Sequence, residues 1–379
     1  MKIGIEARWL GRETTGFGKY ARSLLQDYSL LQHGHEFDVY LDQPSAGDGC
    51  FRDPRFKSIV VSMRPPFYKQ VGIPLDILWH RRRFDLFHFL YNAPPLVTPC
   101  PFVLTIHDLS YLHVPEMVSL LNRTTVWWQL RLKARKARRI ITISENSKRD
   151  IVHRLRIPEA KIDVIPEGVE PAFAPAAPKR KEAVARRYRL GHPFFLYVGT
   201  YLSHKNLDTL VRAFARLAAS RPAPVELVLA GKKGRNSENV ERLVGQLGLQ
   251  DRVRMTGFVA DEDLPVLYSL CTAFVYPSRY EGFGLPLLEA MACGAPVLAA
   301  NSSCLPEVGG QAAVYFATDG VGELSSLLLR ILTEDHFRFE LSRRGLARAA
   351  QFTWRATAEK TLAVYERARR WNDPLVQQA

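Results

Sequence analysis

The stretch Tyr276-Pro-Ser-Arg-Tyr-Glu-Gly-Phe-Gly-Leu-Pro-Leu-Leu-Glu-Ala-Met-Ala-Cys-Gly294 decides how this chain is read. The apolar run Ala273 to Tyr276 predicts a buried strand, and Pro277 and Ser278 end it. Pro286 stands where a helix tolerates proline, at its start. Glu281 therefore falls in a strand-to-helix turn, where Gly282 and Gly284 let the backbone approach a ligand. The N–H groups of Phe283, Gly284 and Leu285 are the donors a helix N-terminus leaves unpaired, a ready site for phosphate. Glu289 follows inside the helix, near its start. One carboxylate in the turn and one in the first turns suit a polyhydroxylated phosphate ester, whose hydroxyls donate to carboxylates while the amides hold a diphosphate. An ordinary capped strand–turn–helix would account for either carboxylate taken singly.

Working outward, the chain alternates strands and helices in two series. Lys2–Ala7, Phe37–Leu41, Ser58–Ser62, Asp85–Phe89, Phe102–Ile106, Ile140–Ser144 and Lys161–Ile165 read as strands. Helices are expected at about Lys19–Leu31, near Tyr68–Arg83 and over Ser119–Arg138. The proline- and alanine-rich run Glu170 to Lys181 then reads as a linker. A second series has strands at Phe194–Val198, Val225–Ala230, Val253–Met255, Ala273–Tyr276 and Pro296–Ala299, with helices from about Leu207 and Glu238. This is α/β, with parallel sheets covered on both faces. The expected division is a first domain over 1–172, a linker over 173–190, and a second domain over 191–355. The run Phe352 to Arg370 is helical by periodicity, with Trp354, Ala358, Leu362 and Tyr365 on one stripe, and the last helix is bounded at about 356–371.

Composition bounds the function. At 379 residues, with 47% hydrophobic and 24% charged residues, the chain suits two globular domains. It has no apolar run approaching the roughly 18 residues of a membrane helix. Charges in Met1–Arg8 argue against export, and five scattered cysteines without a Cys-x-x-Cys argue for a reducing cytosol and against structural zinc. The net charge of +14 calls for an anionic partner: phosphorylated substrate, anionic lipid or nucleic acid. Ser119 to Arg139 carries seven Lys or Arg and no acid, interleaved with Trp127, Trp128, Leu130 and Leu132. That stretch reads as a sheet-covering helix with a solvated basic face, as a surface for anionic membrane, or as a nucleic-acid site. Nothing in the chain matches a nucleic-acid fold.

Four further sites carry chemistry. Gly199-Thr-Tyr-Leu-Ser-His-Lys-Asn206 follows the first strand of the second series, so Lys205 adds a full charge beside a helix start that Asn206 is suited to cap. His107 lies at the carboxyl end of its strand, where cleft residues belong, though a structural histidine fits there too. Asp261-Glu-Asp263 imitates a metal-binding Asp-x-Asp, but capping of the helix that follows explains it better. Gly16-Phe-Gly18 with Asp42 imitates a dinucleotide fingerprint at the wrong spacing.

Glu281-x7-Glu289 with Gly-Phe-Gly between resembles the signature of family-4 retaining glycosyltransferases. Ile106-His-Asp-Leu109, Thr142-Ile-Ser-Glu-Asn-Ser147, Val164-Ile-Pro-Glu-Gly168, Gly257-Phe-Val-Ala-Asp-Glu-Asp-Leu-Pro265 and Leu305-Pro-Glu-Val308 are similar to family segments and keep the family's order. The resemblance implies the GT-B fold: two doubly wound, Rossmann-like domains facing across a cleft, with the last helix crossing back to the first domain. It implies Glu281, His107 and Lys205 as catalytic. Gly16, Thr200, Lys205, Phe258, Val259, Phe283, Gly284, Leu285 and Glu289 would hold the donor. Many relatives have arginine where this chain has Thr200, which weakens one phosphate contact; His204 and Arg279 are the candidates to replace it. The implied activity is metal-independent, cofactor-free transfer of a hexose from a nucleotide-diphosphate sugar. Its segments look most like those that transfer mannose from GDP-mannose, with a UDP-sugar as the alternative. The acceptor would be a glycan or a lipid-linked glycan of surface polysaccharide, reached from the cytoplasm at the inner membrane face. An NAD-dependent oxidoreductase using Gly16-Phe-Gly18 and a non-catalytic basic adaptor are the readings from other classes.

Overall fold

A computed structural model describes residues 1–10, 16–43, 53–63, 67–92, 94–114, 120–220 and 224–370, with the side chains of 120–122 left out. The chain forms two compact units, Met1–Gly168 with Thr353–Ala379, and Val169–Phe352.

The first unit holds β1 (Lys2–Glu6), α1 (Gly16–Leu30), β2 (Glu36–Leu41), β3 (Phe56–Val60), α2 (Ile73–Trp79), β4 (Leu86–Phe89), β5 (Phe102–Thr105), α3 (Ser110–His113), α4 (Leu120–Lys136), β6 (Arg139–Thr142), α5 (Glu145–Leu155) and β7 (Ile162–Val164). Its seven strands run β3-β2-β1-β4-β5-β6-β7, all parallel. Such strands, buried on both faces, have to be apolar throughout, and Ile3, Ile5, Phe87, Val103 and Ile141 are wholly buried. The stretch expected as one helix near Tyr68–Arg83 is a π-turn, Tyr68–Gly72, running into the shorter α2.

The second unit holds α6 (Pro178–Arg187), β8 (Phe194–Val198), α7 (Leu207–Ser220), β9 (Glu226–Ala230), α8 (Ser237–Gln246), β10 (Val253–Gly257), α9 (Leu264–Leu270), β11 (Ala273–Tyr276), α10 (Leu285–Ala292), β12 (Val297–Ala300), α11 (Leu305–Gly309), β13 (Ala313–Phe316), α12 (Val321–Thr333) and α13 (Asp335–Ala349). Its six parallel strands run β10-β9-β8-β11-β12-β13. Residues 173–190, read from sequence as a linker, are instead built into this unit. Phe173 packs on Tyr268, the Ala176 amide donates to Ser269 Oγ at 3.0 Å, and Pro178 opens α6. Arg187 pairs with the buried Asp263 at 2.5 Å. Asp263 thus makes an ion pair with α6 in place of the expected side-chain cap on α9.

The last helix, α14 (Trp354–Arg370), packs on α1 in the first unit. Trp354, Ala358, Val364, Tyr365 and Ala368 join Ile5, Leu24 and Val39 in one core. The Tyr365 hydroxyl lies 2.9 Å from Tyr28 Oη and 2.6 Å from His88 Nδ1, and His88 Nε2 reaches Thr105 Oγ1 at 2.8 Å. Residue 371, the end of the expected helix, lies outside the described residues.

Candidate active site

In an open parallel sheet, ligands bind beyond the carboxyl ends of the strands where the strand order reverses. In the second unit that point lies between β8 and β11, which pair directly. The loop after β8 carries Lys205; the turn after β11 carries Glu281. The Lys205 ammonium donates to Glu281 Oε1 at 2.6 Å, with the two side chains only 15% and 12% exposed. The ammonium also lies 5.7 Å from the Tyr276 ring centre. Burial alone would push the Glu281 carboxyl up; Lys205, with the Ser278 and Tyr276 hydroxyls, outweighs it and holds the carboxyl below its usual range. Glu281 is further fixed through its backbone, its amide donating to Ser303 Oγ at 3.0 Å and its carbonyl accepting from Cys304 Sγ at 3.2 Å.

The turn is built for close approach. Gly284 has φ 94°, and a Cβ there would meet Leu305 Cδ2 at 2.9 Å, so only glycine fits. Phe283 is buried against Phe352, ring centres 5.9 Å apart, which pins the turn from behind. Among the described residues the Phe283 and Gly284 amides find no acceptor. Leu285 opens α10 and Pro286 follows as its second residue. Glu289 sits deeper in α10, 5% exposed, and its Oε2 accepts from the Tyr268 hydroxyl at 3.2 Å.

Among the described residues no amide of α7 donates to the Asn206 side chain, which makes other bonds than the expected cap. Asn206 stands in the left-handed region, φ 56° and ψ 38°. Its amide donates to the Pro277 carbonyl at 3.1 Å and the Thr318 carbonyl at 2.8 Å, and its Oδ1 accepts from Thr209 and Arg279. It therefore ties the loop beside Lys205 to the segment that leads to Glu281. Thr200 is exposed at the end of β8. Arg279, weighed as its stand-in, is tied to Asn206 and, at 2.7 Å, to Asp319, while His204 is buried. A further cation at this edge is Lys232, which the sequence reading missed. It follows β9, neighbour of β8, and its ammonium lies 5.2 Å from the ring centre of Phe258. Phe258 is 54% exposed beyond β10, and Val259 beside it is buried. The signal was available: a lysine directly after Gly231 at a strand end repeats the position of Thr200 after Gly199.

The first unit gathers its own polar group at the carboxyl edge of its sheet, with Glu6 at the end of β1, His107 beyond β5 and Glu167 beyond β7. His107 is 4% exposed; its Nε2 donates to the Leu90 carbonyl at 3.0 Å and its Nδ1 lies 3.5 Å from Glu167. A carbonyl only accepts, so Nε2 carries a proton. Gly16 corrects the sequence reading: Gly16-Phe-Gly18 is the first turn of α1, not a loop. The reason is Phe17, whose ring packs edge-on against Tyr91 at 4.5 Å and His107 at 5.0 Å and anchors the helix start. A dinucleotide phosphate loop is not formed there. Glu6 and Lys69, unread from the sequence, are 1% and 6% exposed at this edge. Burial lowers the Lys69 pKa, opposed by Glu6, and its ammonium lies 4.8 Å from the Tyr91 ring centre.

Of the basic stretch 119–139, Ser119 lies outside the described residues. α4 turns Leu130 and Ala134 inward and leaves Val126, Trp128 and Leu132 exposed. Among the described residues no helix is long and apolar enough to cross a membrane, and no three His, Cys, Asp or Glu gather as a metal set.

A lysine and a carboxylate clasped at the switch point of a doubly wound sheet define an α/β site for an anionic, hydroxyl-bearing ligand. Comparison with known proteins agrees. Residues 179–348 match the family described as "Glycosyl transferases group 1", and residues 16–173 match "Glycosyltransferase Family 4". The O-antigen chain mannosyltransferase B of Escherichia coli is 33% identical over 97% of this chain and 100% of its own length. Among solved structures, a sucrose-phosphate synthase from Thermosynechococcus elongatus superposes with TM-score 0.77 at 21% identity, covering 97% of this chain and 98% of that one. Anabaena HepE in complex with UDP-glucose superposes with TM-score 0.76 at 18% identity, covering 97% and 99%. The chain belongs to the family-4 glycosyltransferases, with the GT-B fold.

Proposed function

We propose that the protein is a retaining, metal-independent mannosyltransferase that takes mannose from GDP-mannose and passes it to a glycan or lipid-linked acceptor in surface polysaccharide synthesis, at the cytoplasmic face of the membrane. The observation that carries the reading is the buried Lys205–Glu281 pair at 2.6 Å. The mannose assignment is supported by the full-length likeness to an O-antigen mannosyltransferase.

In this reading Lys205 turns from Glu281 to the diphosphate and stabilises the leaving group, with Lys232 supplying the charge that Thr200 does not. The Phe283, Gly284 and Leu285 amides bind the same phosphates. A fixed cation and oriented amides supply the electrostatic stabilisation a metal would otherwise give. Glu281, held ionised, accepts from sugar hydroxyls and supports oxocarbenium-like charge. The departing diphosphate lies on the face the acceptor approaches and takes its proton, which retains configuration. Glu289 exchanges its Tyr268 bond for the ribose hydroxyls, and Phe258 and Val259 border the base.

A thermal-shift panel of GDP, UDP, ADP, dTDP and NAD tests the donor. A ligand at about 100 times its Kd adds ~2.7 kcal/mol to the folded state. A shift with GDP alone, followed by GDP release from GDP-mannose in the presence of a chelator, is expected. A shift with UDP alone keeps the enzyme class and replaces the donor; HepE, bound to UDP-glucose, is why that arm is included. Retention is read by NMR from the anomer first released when GDP-mannose is slowly hydrolysed, and a β-anomer would refute it.

A further inference from the structure

The first unit carries a cavity of about 480 Å³ lined by Leu112, Arg123, Trp127, Arg131, His153, Arg154 and Arg156. We infer that this cavity is a binding site for a phosphate or diphosphate group, apart from the donor site in the second unit and independent of the mannosyl reading.

Four arginines line it, and among the described residues none of them has a carboxylate within ion-pair distance. Asp150 on α5 is paired with His113 at 2.9 Å. Like charges facing one small volume repel by roughly 1 kcal/mol per pair at 4 Å even in bulk water. A cluster of that kind is relieved by an anion. Arg131 is the most committed member. Its guanidinium lies 5.1 Å from the Trp127 ring centre and 5.8 Å from that of Trp128, and its Nε is buried with no acceptor among the described residues. Burial and the nearby charges of Arg135 and Arg156 lower its pKa.

The walls are fixed by the fold. The Trp127 indole donates to the Arg154 carbonyl at 2.9 Å, locking α4 to the end of α5. Arg156 ends α5 in the left-handed region at φ 53°, which turns it back towards the same cavity. At about 480 Å³ the space has room for a diphosphate ester. Guanidinium forks match phosphate oxygens in bidentate geometry. The exposed Val126, Trp128 and Leu132 on α4 leave an apolar border that a lipid-borne phosphate would use and a soluble one would not.

The test is calorimetric titration of inorganic pyrophosphate into the full chain at low salt, with Arg154→Gln/Arg156→Asn and Lys205→Met variants alongside. Both arginines are exposed, and asparagine tolerates the left-handed position, so unchanged melting of the double variant controls for folding. Two sites are expected in the wild type. The double variant weakens one of them by about tenfold or more, the effect of ~1.4 kcal/mol. Lys205→Met leaves that site intact and weakens the other. Binding that Lys205→Met abolishes entirely, or that the double variant leaves unchanged, overturns the inference. Sedimentation with phosphatidylcholine vesicles, with and without phosphatidylglycerol, identifies the source. Phosphatidylglycerol-dependent sedimentation lost in the double variant assigns the site to membrane phosphate. Pyrophosphate binding without sedimentation assigns it to a soluble phosphate ester. Sedimentation without saturable pyrophosphate binding also overturns the inference, because it reports only diffuse charge.

Discussion

Replacing Lys205 by methionine removes the cation from a carboxylate that stays buried. The pair is 2.6 Å long and its side chains are 15% and 12% exposed, so solvent replaces little of the lost attraction. Removing one partner of a buried pair costs ~3–5 kcal/mol, whereas replacing both by neutral groups of similar volume is close to neutral. Lys205→Met should therefore lower stability at pH 7 by about that amount. Lys205→Met/Glu281→Gln should recover most of it, giving a coupling energy of roughly 2 kcal/mol or more in a double-mutant cycle. Acid sharpens the test. In the wild type the Glu281 pKa is depressed, so the pair's contribution is present above the unfolded glutamate pKa, about 4.3, and is lost as pH falls through the lower folded value. In Lys205→Met, burial raises the carboxyl, opposed only by the Ser278 and Tyr276 hydroxyls, so the variant regains stability as pH falls towards the unfolded value. The gap between the two proteins should narrow from the variant's side between neutrality and about pH 4.3, and from the wild type's side only below that. Urea unfolding at several pH values measures it. Additive single substitutions, or a gap that does not change with pH, would refute the claim that these two groups hold each other in charge.

Further outcomes follow from the same geometry. Glu281→Ala should lose turnover by ~10²–10³-fold, the scale of one transition-state charge contact. Its nucleotide affinity should hold or tighten because Lys205 is released; equal losses of turnover and affinity would remove Glu281 from its assigned role. Phe258→Ala should leave melting within ~0.5 kcal/mol of the wild type, since the ring is half exposed. It should weaken nucleotide binding by ~1–3 kcal/mol if the ring carries a base, and unchanged affinity in a titration would count against that contact. His88 is wholly buried, and burial with His107 nearby pulls its pKa down to about 3. Its neutral form is the one the fold needs, so the first unit should lose ~1.4 kcal/mol per pH unit on acidification from the unfolded value of about 6.5. His88→Gln should flatten that slope in pH-dependent melting, and an unchanged slope would place the acid sensitivity elsewhere.

Much of this was legible in the chain. Alternating buried strands and helices predict two parallel sheets, and every strand expected in Lys2–Ile165 lies within a few residues of one in the structure. Lys205 and Glu281 were each readable from the turn that holds them. Their contact was not, because 76 residues separate them and only the reversal of strand order at β8 and β11 makes them neighbours. The linker reading failed for a related reason. Proline and alanine mark an irregular chain locally, but the buried Val184 and the Arg187–Asp263 pair that fold Pro178–Arg187 into the second unit are tertiary. β13 and α12 went unread because the expected series stopped at Ala299. The arginine cavity was visible only as charge: α4 supplies two of its arginines and the end of α5 the other two, and no single run of sequence shows them converging.

The return of α14 to the first unit has a consequence for how the chain is made. Val169–Phe352 is continuous, so its sheet can close as soon as that length has left the ribosome. The first unit cannot, because Trp354, Ala358, Val364 and Tyr365 complete the core around Ile5 and Leu24. Its strands are synthesised first and its last helix near the end, more than 180 residues later, after the whole of the second unit. During that interval the groove awaiting α14 is open, with Tyr28 and His88 lacking the hydroxyl that will join them. The first unit's core is therefore completed only after Val169–Phe352 has been synthesised, and its apolar groove is exposed to aggregation until then.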